Sequence, residues 1–200
     1  MDTAKAIETR RAVKHYDPEH VMPEETLAEL IRLTKLAPSS FNMQNYRLLV
    51  VRDQQLRQKI RAAAWDQAHV TNASVLFIMC ADLDAHREDP AVYWSHAPQE
   101  VQDTLGPMIK PFYEGNVQLI RDEGIRSSAL AGMTLMLAAR ELGYDSCPMI
   151  GFDAKKVAEL INLPPSYVLS FMIAVGKQTK PAWDRGERLP DARVVAYDRF

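Results

Sequence analysis

Apolar residues along the chain follow two spacings. Helical spacing comes first: "TAKAIET" (3–9) predicts a short helix with Ala4 and Ile7 inward. After Pro23, "PEETLAELIRLTKLA" puts Leu27, Leu30, Ile31 and Thr34 on one face. Pro23 suits a first turn, Glu24 and Glu25 suit the positive end of the helix dipole, and Pro38 closes the segment. "RLLVV" (47–51), "SVLFIMCA" (74–81) and "YVLSFMIAVG" (167–176) are unbroken apolar runs and predict buried strands. Asp53 is placed to cap a helix reaching about Trp65, with Leu56 and Ile60 inward. "IRSSALAGMTLMLAARELG" (125–143) predicts a helix closed by Gly143. Its apolar and small residues cover most of the circumference, which implies burial nearly all round, within the domain or between subunits. A short strand follows to "CPMIG", and Asp153 then caps "AKKVAELINL". The stretch 84–124, rich in Pro, His and aromatics, predicts broken helices in a mobile region. The last 24 residues, "KQTKPAWDRGERLPDARVVAYDRF", have little periodicity and predict an extended arm. Helices and strands alternate, so the class is α with β.

Composition narrows the function classes. The 200 residues suffice for one domain spanning 1–200 with a substantial core. A formal net charge of −2 creates no global field for nucleic acid or an anionic membrane, so neither partner is expected. No apolar run spans a bilayer, "MDTAKAIETR" lacks a signal core and "AYDRF" lacks a lipidation cysteine. Cys80 and Cys147 form no Cys-x-x-Cys pair, and reduced thiols in a cytoplasmic protein are expected. Glycine loops for phosphate and a G-x-S-x-G elbow are missing, and the five histidines lack a metal spacing, so no metal is expected.

Four stretches remain as candidate chemistry. "ETRRAVKHYD" (8–17) carries Arg10, Arg11 and Lys14; in an extended backbone Arg10, Ala12 and Lys14 share a face, with roughly 7 Å between alternate side chains. Arginine grips a phosphate with a planar fork, and lysine adds a point charge. On charge pattern alone, a solvated basic segment is the favoured reading. "APSSFNMQNY" (37–46) offers Ser39, Ser40, Asn42 and Gln44, which can donate and accept toward a flat polar ring or a polyhydroxyl chain, or simply build a turn. "CPMIGFD" (147–153) ends a strand with Met149, Ile150 and Gly151, where glycine permits close backbone approach, or a plain strand-to-helix turn. "WDRGERLP" (183–190) adds Arg185 and Arg188 on the arm.

These segments together resemble the FMN-dependent nitroreductase family from end to end. "RRAVKHYD" is similar to its R-R-S-x-[RK]-x-[FY] motif and "LAPSSFNMQNYR" to its A-P-S-x-x-N-x-Q-P-W segment. "LAARELGYDSCPMIGFD" resembles the central helix and flavin-facing turn, and "AVGKQTKPAWDRGERLP" the final strand and basic tail. The sequence departs at Ala12, where serine is usual, at Asn45-Tyr46 in place of Pro-Trp, at Ile150, where some members have glutamate, and at Asp66, where asparagine is common.

The resemblance implies an α+β fold with a central, mostly antiparallel sheet surrounded by helices and a C-terminal arm extended onto a partner in a homodimer. It implies that Arg10, Arg11 and Ala12 meet the FMN phosphate, with Lys14 near the N1/O2 edge, and that Arg185 and Arg188, with Lys177 more weakly, add phosphate contacts. Ser39, Ser40, Asn42 and Gln44 would meet ribityl and ring edge from the partner subunit. Asp66, Gln67 and His69 would approach the pyrimidine, and the turn at Met149, Ile150 and Gly151 would reach N5 and O4. The small-residue face at Ser127, Ala131 and Gly132 would be a helix contact between subunits. The implied activity takes hydride from NADH or NADPH at flavin N5 and reduces nitroaromatic or quinone-type acceptors by a ping-pong mechanism. The flavin carries the chemistry, so no side chain is catalytic, and Lys14 tunes it. Tyr93, Trp94, Phe112 and Tyr113 are candidates for a lid over the aromatic acceptor. A non-catalytic FMN carrier or sensor is the alternative; an interaction module with solvated basic clusters is a third.

Overall fold

A computed structural model of the chain describes residues 2–200. Its strands are β1 (Tyr46–Val51), β2 (Val75–Asp82), β3 (Asp145–Met149) and β4 (Tyr167–Gly176). They form one sheet in the order β1-β2-β4-β3, antiparallel throughout. Around it, among the described residues, lie α1 (Thr3–Thr9), α2 (Glu24–Thr34), α3 (Gln54–Ala63), α4 (His69–Asn72), α5 (Ala91–Trp94), α6 (Gln99–Tyr113), α7 (Val117–Glu141), α8 (Ala154–Leu160) and α9 (Asp191–Val194). No described helix is long and apolar enough to cross a membrane.

The sheet separates two cores. Leu76, Ile78 and Cys80 of β2, with Met172 and Ala174 of β4, meet α3, α4 and α8 through Ile60, Val70 and Val157. The alternate residues Val75, Phe77 and Met79, with Ile173 and Val175, meet α2 and α7 through Leu27, Leu30, Ala131 and Leu135. This period of two is why β2 and the second half of β4 read as unbroken apolar runs. Each such side chain, fully buried, contributes about 1.5–3 kcal/mol.

Several expectations need correction. β1 is an edge strand, with Leu49 38% exposed and only Tyr46 and Val51 buried. An apolar run alone does not tell a central strand from an edge awaiting cover. In α1 the buried residue is Ala6, and Ile7 is 49% exposed; seven residues are too few to fix a helical face. The helix beyond Asp53 ends at Ala63, because Trp65 and Asp66 both take positive φ. α7 begins at Val117, eight residues before the predicted start, capped by the Asn116 side chain. The charged run Arg121-Asp122-Glu123 in its second turn interrupts the periodicity. Ser127, Ala131 and Gly132 do not form a subunit contact, because all three are buried within the chain. A Cβ at Gly132 would sit 2.3 Å from Phe171, and one at Gly124 would sit 2.8 Å from the Ala81 Cβ. The small residues let α7 lie close on β2 and β4, while within the single chain Leu130 and Met133 on its other side are exposed. The 84–124 stretch does hold separate helices, and Pro107 and Pro111 fall inside α6 without ending it.

Candidate functional site

Residues 10–17 leave α1 in extended form and run along the β3 edge. Ala12 pairs in parallel with Ser146, and Val13 N–H donates to Ser146 O at 3.1 Å. Val13 is buried while Ala12 and Lys14 are exposed, so alternation carries Arg10, Ala12 and Lys14 to one face. The chain beyond β4 lies alongside. Asp17 N–H donates to Lys177 O at 2.9 Å, and Thr179 N–H donates to His15 O at 3.0 Å. That pairing brings the arm back over the amino-terminal cations.

The result is a cleft of ≈ 610 Å³ lined by Arg10, Arg11, Ala12, Lys14, Arg185 and Arg188, with His15, Pro148, Lys180 and Trp183. Six lysines and arginines face one carboxylate, Asp184, although the chain as a whole is slightly acidic. Burial lowers the Arg10 pKa from its ordinary value, and Arg185, Arg11 and Arg188 push it further down. Its Nε is buried and without a hydrogen-bond partner. Among the described residues, none of Arg10, Arg11, Lys14, Arg185 and Arg188 forms an ion pair with a carboxylate. Uncompensated guanidinium groups at a cleft suit an anion with several acceptor oxygens. Arg185 holds the arm in place by donating to Glu8 O and Arg10 O at 2.8 and 2.9 Å, at the carbonyl end of α1. Arg11 donates to Trp183 O, and the Lys14 ammonium lies 5.5 Å from the Trp183 ring centroid. Trp183 is 85% exposed. Lys177 is elsewhere, donating to Gly143 O at 2.5 Å and lying over Tyr144, so it caps α7.

A second cluster joins the segment after α3 to the turn after β3. Gln67 Nε2 donates to Gly151 O at 2.7 Å and to Ala64 O at 3.0 Å. A Cβ at Gly151 would sit 2.6 Å from the exposed Trp65 ring, so the close approach there is that ring's. Among the described residues no hydrogen bond uses the Gly151 N–H, and Ile150 is 80% exposed beside it, while Met149 is buried. Asp66 pairs with Arg61 at 2.7 Å and points to solvent. His69 is 4% exposed with Nε2 unpartnered. Burial, with Lys14 and His15 nearby, lowers its pKa to about 4, so the imidazole is neutral. The same neighbours link this cluster to the cleft.

Ser39, Ser40, Asn42 and Gln44 lie apart and do not line the cleft. Their turn holds Phe41, Asn42 and Gln44 at φ of 51°, 55° and 45°, a region costly for residues with a Cβ. Gln44 N–H donates to Ser39 Oγ at 2.8 Å, and Asn42 Nδ2 donates to Tyr93 O at 3.1 Å. Tyr113 OH donates to Ser40 Oγ at 2.7 Å. Phe41, Phe112 and Tyr113 pack edge to face, and Met43, Tyr93, Ile109 and Tyr113 form a third small core with Trp94 against it.

Sequence reasoning did not single out Trp65, Trp183 or Lys180. A tryptophan inside a polar arm was an available signal for Trp183. Nothing local marks Trp65, whose role depends on a turn 86 residues later.

Comparison with known proteins follows the same lines. The model of the nitroreductase family matches residues 7–177. Protein DrgA of Synechocystis is 50% identical over 182 residues, covering 91% of this chain and 87% of DrgA. MhqN of Bacillus subtilis, assigned as an NAD(P)H nitroreductase, is 34% identical over 206 residues, covering 96% of each. A protein of Exiguobacterium sibiricum assigned as a nitroreductase, with a crystal structure in complex with FMN, superposes with a TM-score of 0.90 at 28% identity, covering 99% of this chain and 98% of that one.

Proposed function

The chain belongs to the nitroreductase family, and from that premise we propose that it is an FMN-dependent oxidoreductase using NADH or NADPH to reduce nitroaromatic or quinone-type acceptors. The observation that carries the cofactor is Arg10, half-buried among cations with an orphaned Nε and no carboxylate partner. FMN, when bound, supplies the two-electron chemistry, alternately accepting hydride from the nicotinamide and passing electrons to the acceptor in a ping-pong sequence.

The chain's own groups hold and tune it. Arg10, Arg11, Arg185 and Arg188 take the phosphate, with the Ala12 peptide between them. Lys14 places a fixed cation where reduction builds negative charge. The unpaired Gly151 N–H, beside the Gln67 bond to the same residue's carbonyl, would serve the flavin's redox edge, and Met149 and Ile150 frame that turn. Neutral His69 and Gln67 border the pyrimidine side, whereas Asp66 is engaged with Arg61.

The second wall comes from a partner subunit in a homodimer, through Ser39, Ser40, Asn42 and Gln44. Two observations support this. The turn carrying them does not line its own chain's cleft, and the arm exposes Val194, Val195, Tyr197 and Phe200 with nothing to cover them. The arm therefore extends onto the partner.

The test is to purify the protein, add FMN, and titrate with NADPH under argon. The expected result is a yellow complex that bleaches on NADPH and regains colour with a quinone. A protein that never takes up FMN overturns the proposal; a complex that stays yellow leaves only a carrier.

A further inference from the structure

We propose that Tyr113 is a positioning residue: its hydroxyl locks the strained 39–44 turn to the α5–α6 segment and turns the Ser40 O–H into a directed donor. The identity of the ligand as FMN rests on the function proposed above; the locking does not.

The 39–44 turn is strained. Three residues with a Cβ sit in the left-handed region within four positions, at about 1–2 kcal/mol each. Such a conformation persists only where its surroundings over-determine it. Within the turn, Asn42 N–H meets Ser39 O and Met43 N–H meets Ser40 O, at 3.1 and 3.0 Å. Three bonds tie the turn to its surroundings: Arg47 Nη1 of β1 donates to Gln44 O at 2.8 Å, and the α5–α6 segment supplies the other two, with Asn42 Nδ2 donating to Tyr93 O and Tyr113 OH donating to Ser40 Oγ. Tyr113 is 1% exposed, 73 positions away in sequence, and wedged between Phe41, Phe112 and His86. Its ring cannot swing away without breaking that packing.

The direction of the bond has a chemical consequence. Ser40 Oγ already accepts from Tyr113, so its own hydrogen is available to donate, and the chain of two hydroxyls polarises it. Ser39 is arranged likewise, accepting from the Gln44 N–H. The turn thus offers two hydroxyl donors toward an acceptor-rich ligand, and Tyr113 fixes the orientation of one. The same bond makes the aromatic segment 91–113 and the turn a single mechanical unit.

The test uses Tyr113→Phe, which keeps the ring, with Ser40→Ala and the double variant. In the ligand-free protein, amide exchange at 42–44 should accelerate about three- to tenfold in each single variant and no further in the double, with exchange in β2 unchanged. The FMN dissociation constant should rise by a similar factor in Tyr113→Phe, and the double variant should match Ser40→Ala. Unchanged exchange in Tyr113→Phe, or independent, multiplying effects on FMN binding, overturns the inference. A wild type that ignores FMN would defeat the proposed function, while the exchange measurements would still decide the locking.

Discussion

Lys14 is exposed on the same face as Ala12 and Arg10, beside Trp183. Replacing it with alanine removes a fixed positive charge from the cleft. The expected outcome is a bound-flavin midpoint potential lower by ~30 mV or more, equivalent to about 1.4 kcal/mol for a two-electron couple. Redox titration against a dye of known potential measures it, and an unchanged potential removes Lys14 from its tuning role. His69 makes a prediction about acid. Its folded-state pKa of about 4 lies below the ordinary 6.5, so the folded protein binds fewer protons than the unfolded chain. The associated stability is complete above about pH 6.5 and is lost as the pH falls through about 4, by up to about 3 kcal/mol. Urea denaturation across that range should show the loss, and His69→Asn should flatten it. Arg10 and Lys14 were legible in sequence because an extended stretch alternates faces and charge marks one of them, whereas Arg11, of opposite parity, joins the cleft through its bond to Trp183 O on the arm. The condition of His69 was not, because it depends on what fails to approach it in three dimensions.

Among the elements, α7 shows how a pattern can be read correctly and assigned to the wrong neighbour. Its small residues do mark a close contact, but the surface they meet is the chain's own sheet. Periodicity locates a face and says nothing about what covers it. Gly124→Ala tests the contact: the added methyl would lie 2.8 Å from the Ala81 Cβ, which the sheet holds fixed. Alanine favours helix by about 1 kcal/mol, yet overpacking costs about 1–3 kcal/mol. A melting temperature lower by a few degrees is expected, measured by calorimetry. The central strands were legible because both of their faces are apolar; the start of α7 was hidden by the charged run at 121–123. The helices of the 84–124 stretch were blurred by prolines at 107 and 111 that α6 accommodates. The polar turn at 39–44 was visible as an anomaly, while its tie to Tyr113 spans a distance no local window covers.

At the scale of the molecule, the arm is the least anchored part. Residues 184–200 are exposed, and Arg185 fastens them to the carbonyls ending α1. Truncation after Ala182 removes Arg185 and Arg188 without touching either principal core. Far-UV circular dichroism of the apoprotein should be unchanged, while FMN affinity should fall more than about tenfold, since hydrogen bonds to a charged group contribute about 1.5–3 kcal/mol each. Equilibrium dialysis measures the affinity, and sedimentation of the same sample should show a weakened dimer. The two sides of the cleft come from residues 10–15 and 180–188, paired through His15 and Thr179. During synthesis, its first wall leaves the ribosome long before its second. A nascent chain therefore cannot close this cleft until Arg185 has emerged, and chains stalled short of it should retain the cofactor poorly, which makes pigmentation a check that the second wall has been made.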